Sequence, residues 1–337
     1  MSGLIIRNIG PTAAFQDAGR PGYFAFGLTR GGAIDPLALL EGASLLGQDP
    51  NSAALEMASM GGVFEAAAPC RIALTGADMT ARIGERSVDW HACHAMEAGE
   101  VLSIGAARKG TYGYLHIGGG FDAPHYLQTR GTHMSAGLGR LVATGDHLPA
   151  LPDPGGPTGM RLAVADRFSG GSVRIVPSMQ TAQFPVETRA RFEATRFTRS
   201  ARANRQGIRI EHEGEGFSVE AQRKIVSEII VPGDIQITGD GTPFVLMCES
   251  QTTGGYPRIG TVIPADLPRV AQCPLGGQLQ FQFISLFEAR KIQRAEAQRQ
   301  DRLSAAITPI LRDPWQIQDL AQYNFISGVI DAKQEEL

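Results

Sequence analysis

MEAGEVLSI, residues 96–104, and PLGGQLQFQ, residues 274–282, are the two stretches on which the fold turns. Each is a glycine-containing turn feeding a strand. Around them the spacing repeats at nearly one offset: Leu55-Glu56-Met57 aligns with Ser227-Glu228-Ile229, and residues 71–75 align with residues 243–247. Identity between the copies is low while register is kept, and register is the harder of the two to keep by chance. The reading is two copies of one β-barrel-like fold. The alternative is that any two β-meanders resemble one another at this level.

Working outward, residues 4–9 read as a strand and residues 16–32 as a turn-rich stretch. Residues 36–46 carry Leu37, Leu40 and Leu45 at helical spacing, with Asp35 as N-cap and Pro36 at the first helical position. Short strands are expected at 63–66, 71–75, 80–83, 101–104 and 112–117, separated by Pro, Gly or charged turns. LPDPGGPTG, residues 151–159, is dense in Pro and Gly and makes the linker. Strands resume at 172–176. Residues 184–197 read as a helix leading into a strand, and 229–237, 243–248 and 278–283 complete a second β-rich unit. Residues 287–304 are charged, lack Gly and Pro, and are helix-prone. A connector and a final helix are expected around Asp313, Pro314 and Trp315. The chain is therefore expected to be mainly β, with a first domain over 1–155, a second over 160–286 and a helical C-terminal tail over 287–337.

A chain of 337 residues can bury two cores. Its net charge of -3 is too small to draw it to nucleic acid or anionic lipid. The 41 glycines fall mostly between short apolar runs, which favours turns and short strands over long helices. MSGLIIRNIGPTAAF lacks the basic and apolar regions of a signal peptide, and no apolar run approaches the roughly 20 residues that span a bilayer. Cys70, Cys93, Cys248 and Cys273 lie far apart and read as free thiols. A cytoplasmic protein is expected, with neither membrane nor nucleic acid as partner.

Chemistry is expected first at QTTGGYP, residues 251–257. Gly254 and Gly255 let the backbone approach a ligand closely, and Gln251, Thr252 and Thr253 add amide and hydroxyl groups suited to a carboxylate, phosphate or ureido group. A plain hairpin would have Asn-Gly or Asp-Gly instead. Behind it, PADLPR offers the Asp266 carboxylate and the Arg269 guanidinium between prolines, either to grip an oxyanion and move a proton or as a local surface pair. In the first half, QDAGRPGYFAFGLTRGG, residues 16–32, presents Asp17, Arg20 and Arg30 among glycines. GGGFD, residues 118–122, reads either as closing the same cleft or as a barrel corner. No GxxxxGK[ST] phosphate loop, GxSxG elbow or Ser-Lys amidase pattern occurs. Trp90-His91-Ala92-Cys93-His94 holds only three candidate ligands with no second cluster, so no metal site is expected. His116 and His133 read as ordinary polar residues.

QDAGRPGY (16–23), GGAID (31–35), LTGAD (74–78), GGFD (119–122), AGLG (136–139), SEIIVPGDIQI (227–237) and QTTGGYPRIGTVIPADLPRVAQ (251–272) occur in order. Together they resemble the family of 5-oxoprolinase C-type subunits, allophanate hydrolase subunit 2 and urea amidolyase-related biotin-dependent carboxyltransferases. The resemblance implies two cyclophilin-like β-barrel domains. It also implies a partner, a B-type subunit similar to allophanate hydrolase subunit 1, with a lamB-like A-type subunit for third component. The activity implied is ATP-dependent opening of 5-oxoproline, or a similar cyclic amide, to a carboxylate, with ATP shared among the components and this chain inactive alone. The alternative within enzymes is carboxyl transfer from carboxybiotin to a urea-like acceptor. The chain has no Ala-Met-Lys-Met attachment site, so any biotin would act in trans. An alternative of another class is a regulatory protein that binds and antagonises a kinase inhibitor.

By the same resemblance, Arg205, Asp266 and Arg269 would be catalytic. Gln251, Thr252, Thr253, Gly254, Gly255, Tyr256, Asn204, Arg20 and Arg30 would bind substrate. Two departures bear on that site. The family's Pro-x-Ser-Gly-Ala-Met-Asp reads Thr29-Arg30-Gly31-Gly32-Ala33-Ile34-Asp35, and its Ser-Asp/Asn-Arg-Met-Gly reads Ala203-Asn204-Arg205-Gln206-Gly207. A hydroxyl is lost from each, which puts the substrate in question.

Overall fold

Short runs of β-branched and aromatic residues between tight turns build two sheet systems in a computed structural model that describes residues 2–218 and 227–310. In the second half seven strands close into a barrel. Around it run Gly171–Val176, Arg258–Val262, Asp234–Ile237, Pro243–Leu246, Gly207–Glu211, Phe197–Ala203 and Gln278–Phe283, every neighbouring pair antiparallel until the last strand meets the first in parallel. Closure leaves the barrel no free edge. Nine strands of the first half, joined by Met160–Leu162 and Ile307–Pro309, form one eleven-stranded sheet whose main path runs from Ile307–Pro309 to His147–Pro149. Of the two barrels expected, the described residues therefore show one closed by hydrogen bonding.

Two features of the first sheet differ from the sequence reading. Residues 71–75 and 80–83 are one strand, Cys70–Ile83, and residues 101–104 and 112–117 are one strand, Val101–Ile117. These two pair along almost their whole length, with register shifts between Gly76 and Ala81. Bulges there let the chain pass small and charged residues without turning back. The C-terminal stretch also departs from an all-helical tail. After helix Leu286–Gln300 a single-turn helix at Leu303–Ala306 leads to Ile307–Pro309, which pairs with Met160–Leu162 and so returns to the first sheet. The final helix expected around Trp315 lies outside the described residues.

Helix Pro36–Leu46 starts as the sequence dictates: Asp35 Oδ1 accepts from the Ala38 amide at 3.4 Å, with proline at the first helical position. It is buried on most sides, and the chain joins its two halves against it. Arg167, in the linker region, donates from Nε to Asp35 Oδ2 at 2.8 Å and from its terminal nitrogens to both Glu41 oxygens at 2.8 and 2.7 Å. Gln272, at the end of helix Leu267–Gln272, donates to the same Asp35 oxygen and accepts from the Thr111 and Tyr112 amides at 2.9 Å each. Burial pushes the Glu41 carboxyl up, against the opposing pull of Arg167. The apolar packing crosses the same seam. One cluster joins Phe192, Phe197, Phe281 and Ile235 of the barrel to Ile34, Leu39 and Tyr114 of the first half, while a second, around Phe64, Leu74 and Leu115, belongs to the first sheet.

Two histidines are held neutral within this framework. Burial alone brings His116 down to about 3, and burial, with Arg167 adding to it, brings His91 to about 3. The unfolded chain takes up these protons near pH 6.5 and the native chain does not, so stability is complete above that pH and is lost as pH falls below it. Each histidine contributes a slope of about 1.4 kcal/mol per pH unit. Between pH 6 and pH 5 the unfolding free energy from denaturant titration is expected to fall by about 2–3 kcal/mol from these two groups. A slope near zero over that interval would contradict their burial as neutral imidazoles.

Candidate functional site

A cavity of about 670 Å³ opens on the barrel between the loop after Phe197–Ala203 and the segment that follows Pro243–Leu246. Its size is that of a small-molecule pocket. Asn204, Gln206, Gln236, Ser250, Gln251 and Tyr256 bring amide and hydroxyl groups to its wall, alongside Ile230, Phe244 and Leu246. Among the described lining residues Arg202 is the charged one, and none is a carboxylate or an imidazole. Such a wall can orient a neutral amide or ureido group; it offers no acid or base of its own.

Acid and base groups lie one residue behind that wall, in the seam between the halves. Arg205, flanked by Asn204 and Gln206, turns its side chain away from the cavity and inward. Its Nε meets Glu249 Oε1 and its Nη1 meets Glu56 Oε1, both at 2.5 Å, while Nη2 donates to the Gly32 carbonyl at 2.5 Å. Glu56 also accepts from the Tyr114 hydroxyl at 2.6 Å and from the Ile34 amide at 2.9 Å. Glu249 also accepts from the amide and hydroxyl of Ser135. Burial would push the Glu249 carboxyl up, but the charge and hydrogen bonds of Arg205 outweigh it and hold it below the usual range. Burial raises the Tyr114 phenol well above its ordinary value, and Glu56 raises it further.

His133 completes this cluster. Thr29 Oγ1 gives its hydrogen to the Ser250 carbonyl at 3.0 Å, so it accepts from His133 Nε2 at 3.1 Å. The proton therefore sits on Nε2, and Nδ1 faces Glu249 Oε2 at 3.8 Å as a bare lone pair. Burial lowers the His133 pKa, consistent with a neutral ring. Arg20 lies beside it, 1% exposed, its Nη2 bound to the Gly131 carbonyl and its Nε and Nη1 without partners. Gly31, at φ +60°, holds these two together: a Cβ there would meet His133 Cδ2 at 2.9 Å and Arg20 Nη1 at 3.2 Å. The loss of the serine at this position thus makes room for the pair.

The family model of the carboxyltransferase domain, subdomain A and B, matches residues 26–283, spanning both halves and the seam. The chain belongs to this family. It is 31% identical over 293 residues to the C subunit of 5-oxoprolinase from Haemophilus influenzae, covering 86% of this chain and 94% of that protein. With the corresponding 5-oxoprolinase C subunit of Escherichia coli it shares 32% over 296 residues, at the same coverage. Its fold is like that of the Kluyveromyces lactis urea carboxylase, with a TM-score of 0.80 at 22% identity, over 93% of this chain and 31% of that one. The chain thus spans about a third of that larger protein and nearly the whole of the two bacterial relatives.

Within this carboxyltransferase-type frame the residues singled out from the sequence fall in several different places. Asn204, Gln251 and Tyr256 share the cavity, and Arg205 and Arg20 share the seam behind it. Thr252, Thr253 and Gly254 do not line the cavity: the Thr252 carbonyl accepts from the Ile230 amide, and Thr253–Gly254 pairs with Glu228–Ile229. Gly254 is extended, not a sharp turn, and a Cβ there would meet Gln236 Nε2 at 2.6 Å. Arg30 is exposed and donates to the Ala18 carbonyl at 2.7 Å, closing its own loop.

Asp266 and Arg269 do not line the cavity. Asp266 accepts from the amide, Nε and Nη2 of Arg174 at 2.8, 2.8 and 2.5 Å, fixing helix Leu267–Gln272 to the barrel. Arg269 donates to the Gly170 and Asp166 carbonyls at 2.7 and 2.9 Å, tying the same helix to the linker. The Asp266 carboxylate and both terminal nitrogens of Arg269 are thus engaged in holding the fold. Asp266→Asn is accordingly expected to lower the thermal midpoint while leaving turnover per folded molecule within about twofold. Loss of turnover with an unchanged midpoint would return Asp266 to the chemistry.

Glu56, His133 and Glu249 were not anticipated from the sequence. A signal existed for one of them: Glu56 interrupts the apolar run Ala53-Ala54-Leu55 and Met57, and a carboxylate inside a buried strand calls for a partner.

Proposed function

We propose that this chain is the C-type subunit of a 5-oxoprolinase-type enzyme, opening 5-oxoproline or a similar cyclic amide at the expense of ATP. It would act with a B-type partner similar to allophanate hydrolase subunit 1 and with a lamB-like third component. The observation that carries the reading is the placement of Arg205. It anchors the cavity loop that bears Asn204 and Gln206 to Glu249, Glu56 and Gly32, so an amide-binding wall and a buried acid–base cluster form one rigid unit. Asn204 and Gln251 would orient the amide by reciprocal hydrogen bonds. His133, with Nδ1 free of a proton and Glu249 beside it, is the group best placed to accept one. In this reading Asp266 and Arg269 hold the helix behind the site and touch no substrate.

The cavity does not fit a nucleotide. Its described wall offers one cation and no carboxylate for a magnesium ion, and the chain has no phosphate loop. ATP is therefore assigned to the partner proteins, and this chain's part is to bind and hold the amide. The near-complete coverage of two bacterial 5-oxoprolinase C subunits at 31% and 32% identity favours this reading over biotin-dependent carboxyl transfer, for which the relatives, yeast urea amidolyases, are 24% identical and covered over 17% of their length.

The test uses the reconstituted complex with Gln251→Ala and Asn204→Ala in this chain. Each is expected to raise KM for 5-oxoproline by roughly tenfold, the worth of one lost hydrogen bond in a partly desolvated site. The thermal midpoint should hold in Gln251→Ala and fall modestly in Asn204→Ala, whose Oδ1 accepts from the Gln206 and Gly207 amides at 2.8 and 3.2 Å. Wild-type KM in both variants would remove the cavity from substrate binding.

A further inference from the structure

A second cavity, of about 410 Å³, opens where the long strands of the first sheet meet the linker, and neither the cavity on the barrel nor the seam involves it. Trp90, His91 and Phe168 give it an aromatic side. His91 is the unusual residue. It is held in the left-handed region at φ +53°, which a side chain other than glycine rarely adopts, and its carbonyl accepts from the Leu162 amide at 2.9 Å. Its ring packs on Phe168 with centroids 5.6 Å apart, and its buried Nδ1 has no hydrogen-bond partner among the described residues. Strained backbone of this kind persists where surrounding structure enforces it, and it gathers at ligand sites.

The charges around this cavity sort themselves into pairs and remainders. Asp78 is held by Arg108 at 3.0 Å and Asp166 by Lys109 at 3.3 Å. Asp89 and Arg161 also line the wall, and neither has an ion-pair partner among the described residues. One carboxylate and one guanidinium are thus left over, one of each sign, beside aromatic rings. A polyphosphate would meet three aspartates here, and a simple cation would meet two basic side chains. The complement of the remainder is a ligand carrying one ammonium, one carboxylate and an apolar body.

We propose that this cavity is a binding site for a free α-amino acid, its ammonium on Asp89, its carboxylate on Arg161 and its side chain against Trp90 and Phe168. The walls come from the strands, from the loop at 89–91 and from residues 161–168 after the linker, so an occupant would brace the segment that carries Arg167.

The chain has two tryptophans, so full-length protein carrying Trp315→Phe reports on Trp90 alone. L-phenylalanine and L-leucine are titrated against Trp90 emission, beside phenethylamine and 3-phenylpropionate, which each keep one charge. A saturable change is expected with at least one amino acid, with the single-charge analogues at least tenfold weaker than L-phenylalanine if that is the ligand bound. Arg161→Ala and Asp89→Asn, both at exposed positions that leave folding intact, are each expected to raise Kd at least tenfold. No saturable change with either amino acid would overturn the proposal. So would analogues that bind as well as L-phenylalanine, or variants that bind as well as the parent.

Discussion

Arg205→Ala is expected to remove about 3–5 kcal/mol of stability and to lower turnover of the reconstituted complex at least a hundredfold. The guanidinium neutralises two buried carboxylates, Glu56 and Glu249, and satisfies the Gly32 carbonyl from a position between two cavity residues. Burial would strip its proton, yet the surrounding negative groups hold its pKa well above the ordinary value. Truncation leaves two carboxylates facing each other across a vacated space, which costs far more than the ion pairs contribute net. The loop bearing Asn204 and Gln206 would then lose its anchor to the first half. Combining Arg205→Met with Glu56→Gln and Glu249→Gln should restore much of the stability and little of the activity, because it removes the uncompensated charge without rebuilding the clamp. A triple variant as unstable as Arg205→Ala, measured by urea unfolding, would show that packing rather than charge sets the cost.

Arg167→Ala is the second large effect, again about 3–5 kcal/mol. Its guanidinium is buried against Asp35 and Glu41, all three side chains at most 7% exposed. The loss has a distinct signature in pH. With Arg167 gone, burial acts on Glu41 unopposed and its carboxyl moves further up. A carboxyl whose folded pKa is raised favours the native state while protonated, so the variant should lose stability with acid less steeply than the parent, Glu41 offsetting up to about 1.4 of the roughly 2.8 kcal/mol per pH unit that the two buried histidines remove. A variant that weakens steadily with acid, in parallel with the parent, would mean that Glu41 is not left buried and charged.

The β character and the two halves were legible because strand alternation and turn chemistry are local. Helix Pro36–Leu46 was legible for the same reason, from Asp35, Pro36 and the leucine spacing. The long strands were not. Gly76 to Asp78, and Gly105 to Gly110, carry turn-like residues, and only pairing across the sheet shows that bulges absorb them. Strand Ile307–Pro309 has three residues and a partner in the linker region, too little local signal to register. The site was half legible. QTTGGYP and Asn204-Arg205-Gln206 stand out as polar loops, and Gln251, Tyr256, Asn204 and Gln206 from them do line one cavity. Asp266 and Arg269 stand out equally, yet Arg174 and the linker carbonyls claim them, and nothing nearby in sequence announces those partners. His133 and Glu249 meet across more than a hundred residues, and the tautomer that leaves Nδ1 bare depends on a Thr29 hydroxyl 104 residues from His133 in the other direction.

The central claim is that this chain supplies an amide-binding unit to a complex that spends ATP elsewhere. It is tested most directly by assaying 5-oxoproline-dependent ATP hydrolysis and glutamate release with the B-type and lamB-like partners, with and without this chain, and with this chain alone. Ring opening coupled to ATP hydrolysis only when all components are present is the result predicted. Turnover by the chain alone, or by the partners at full rate without it, would contradict the account.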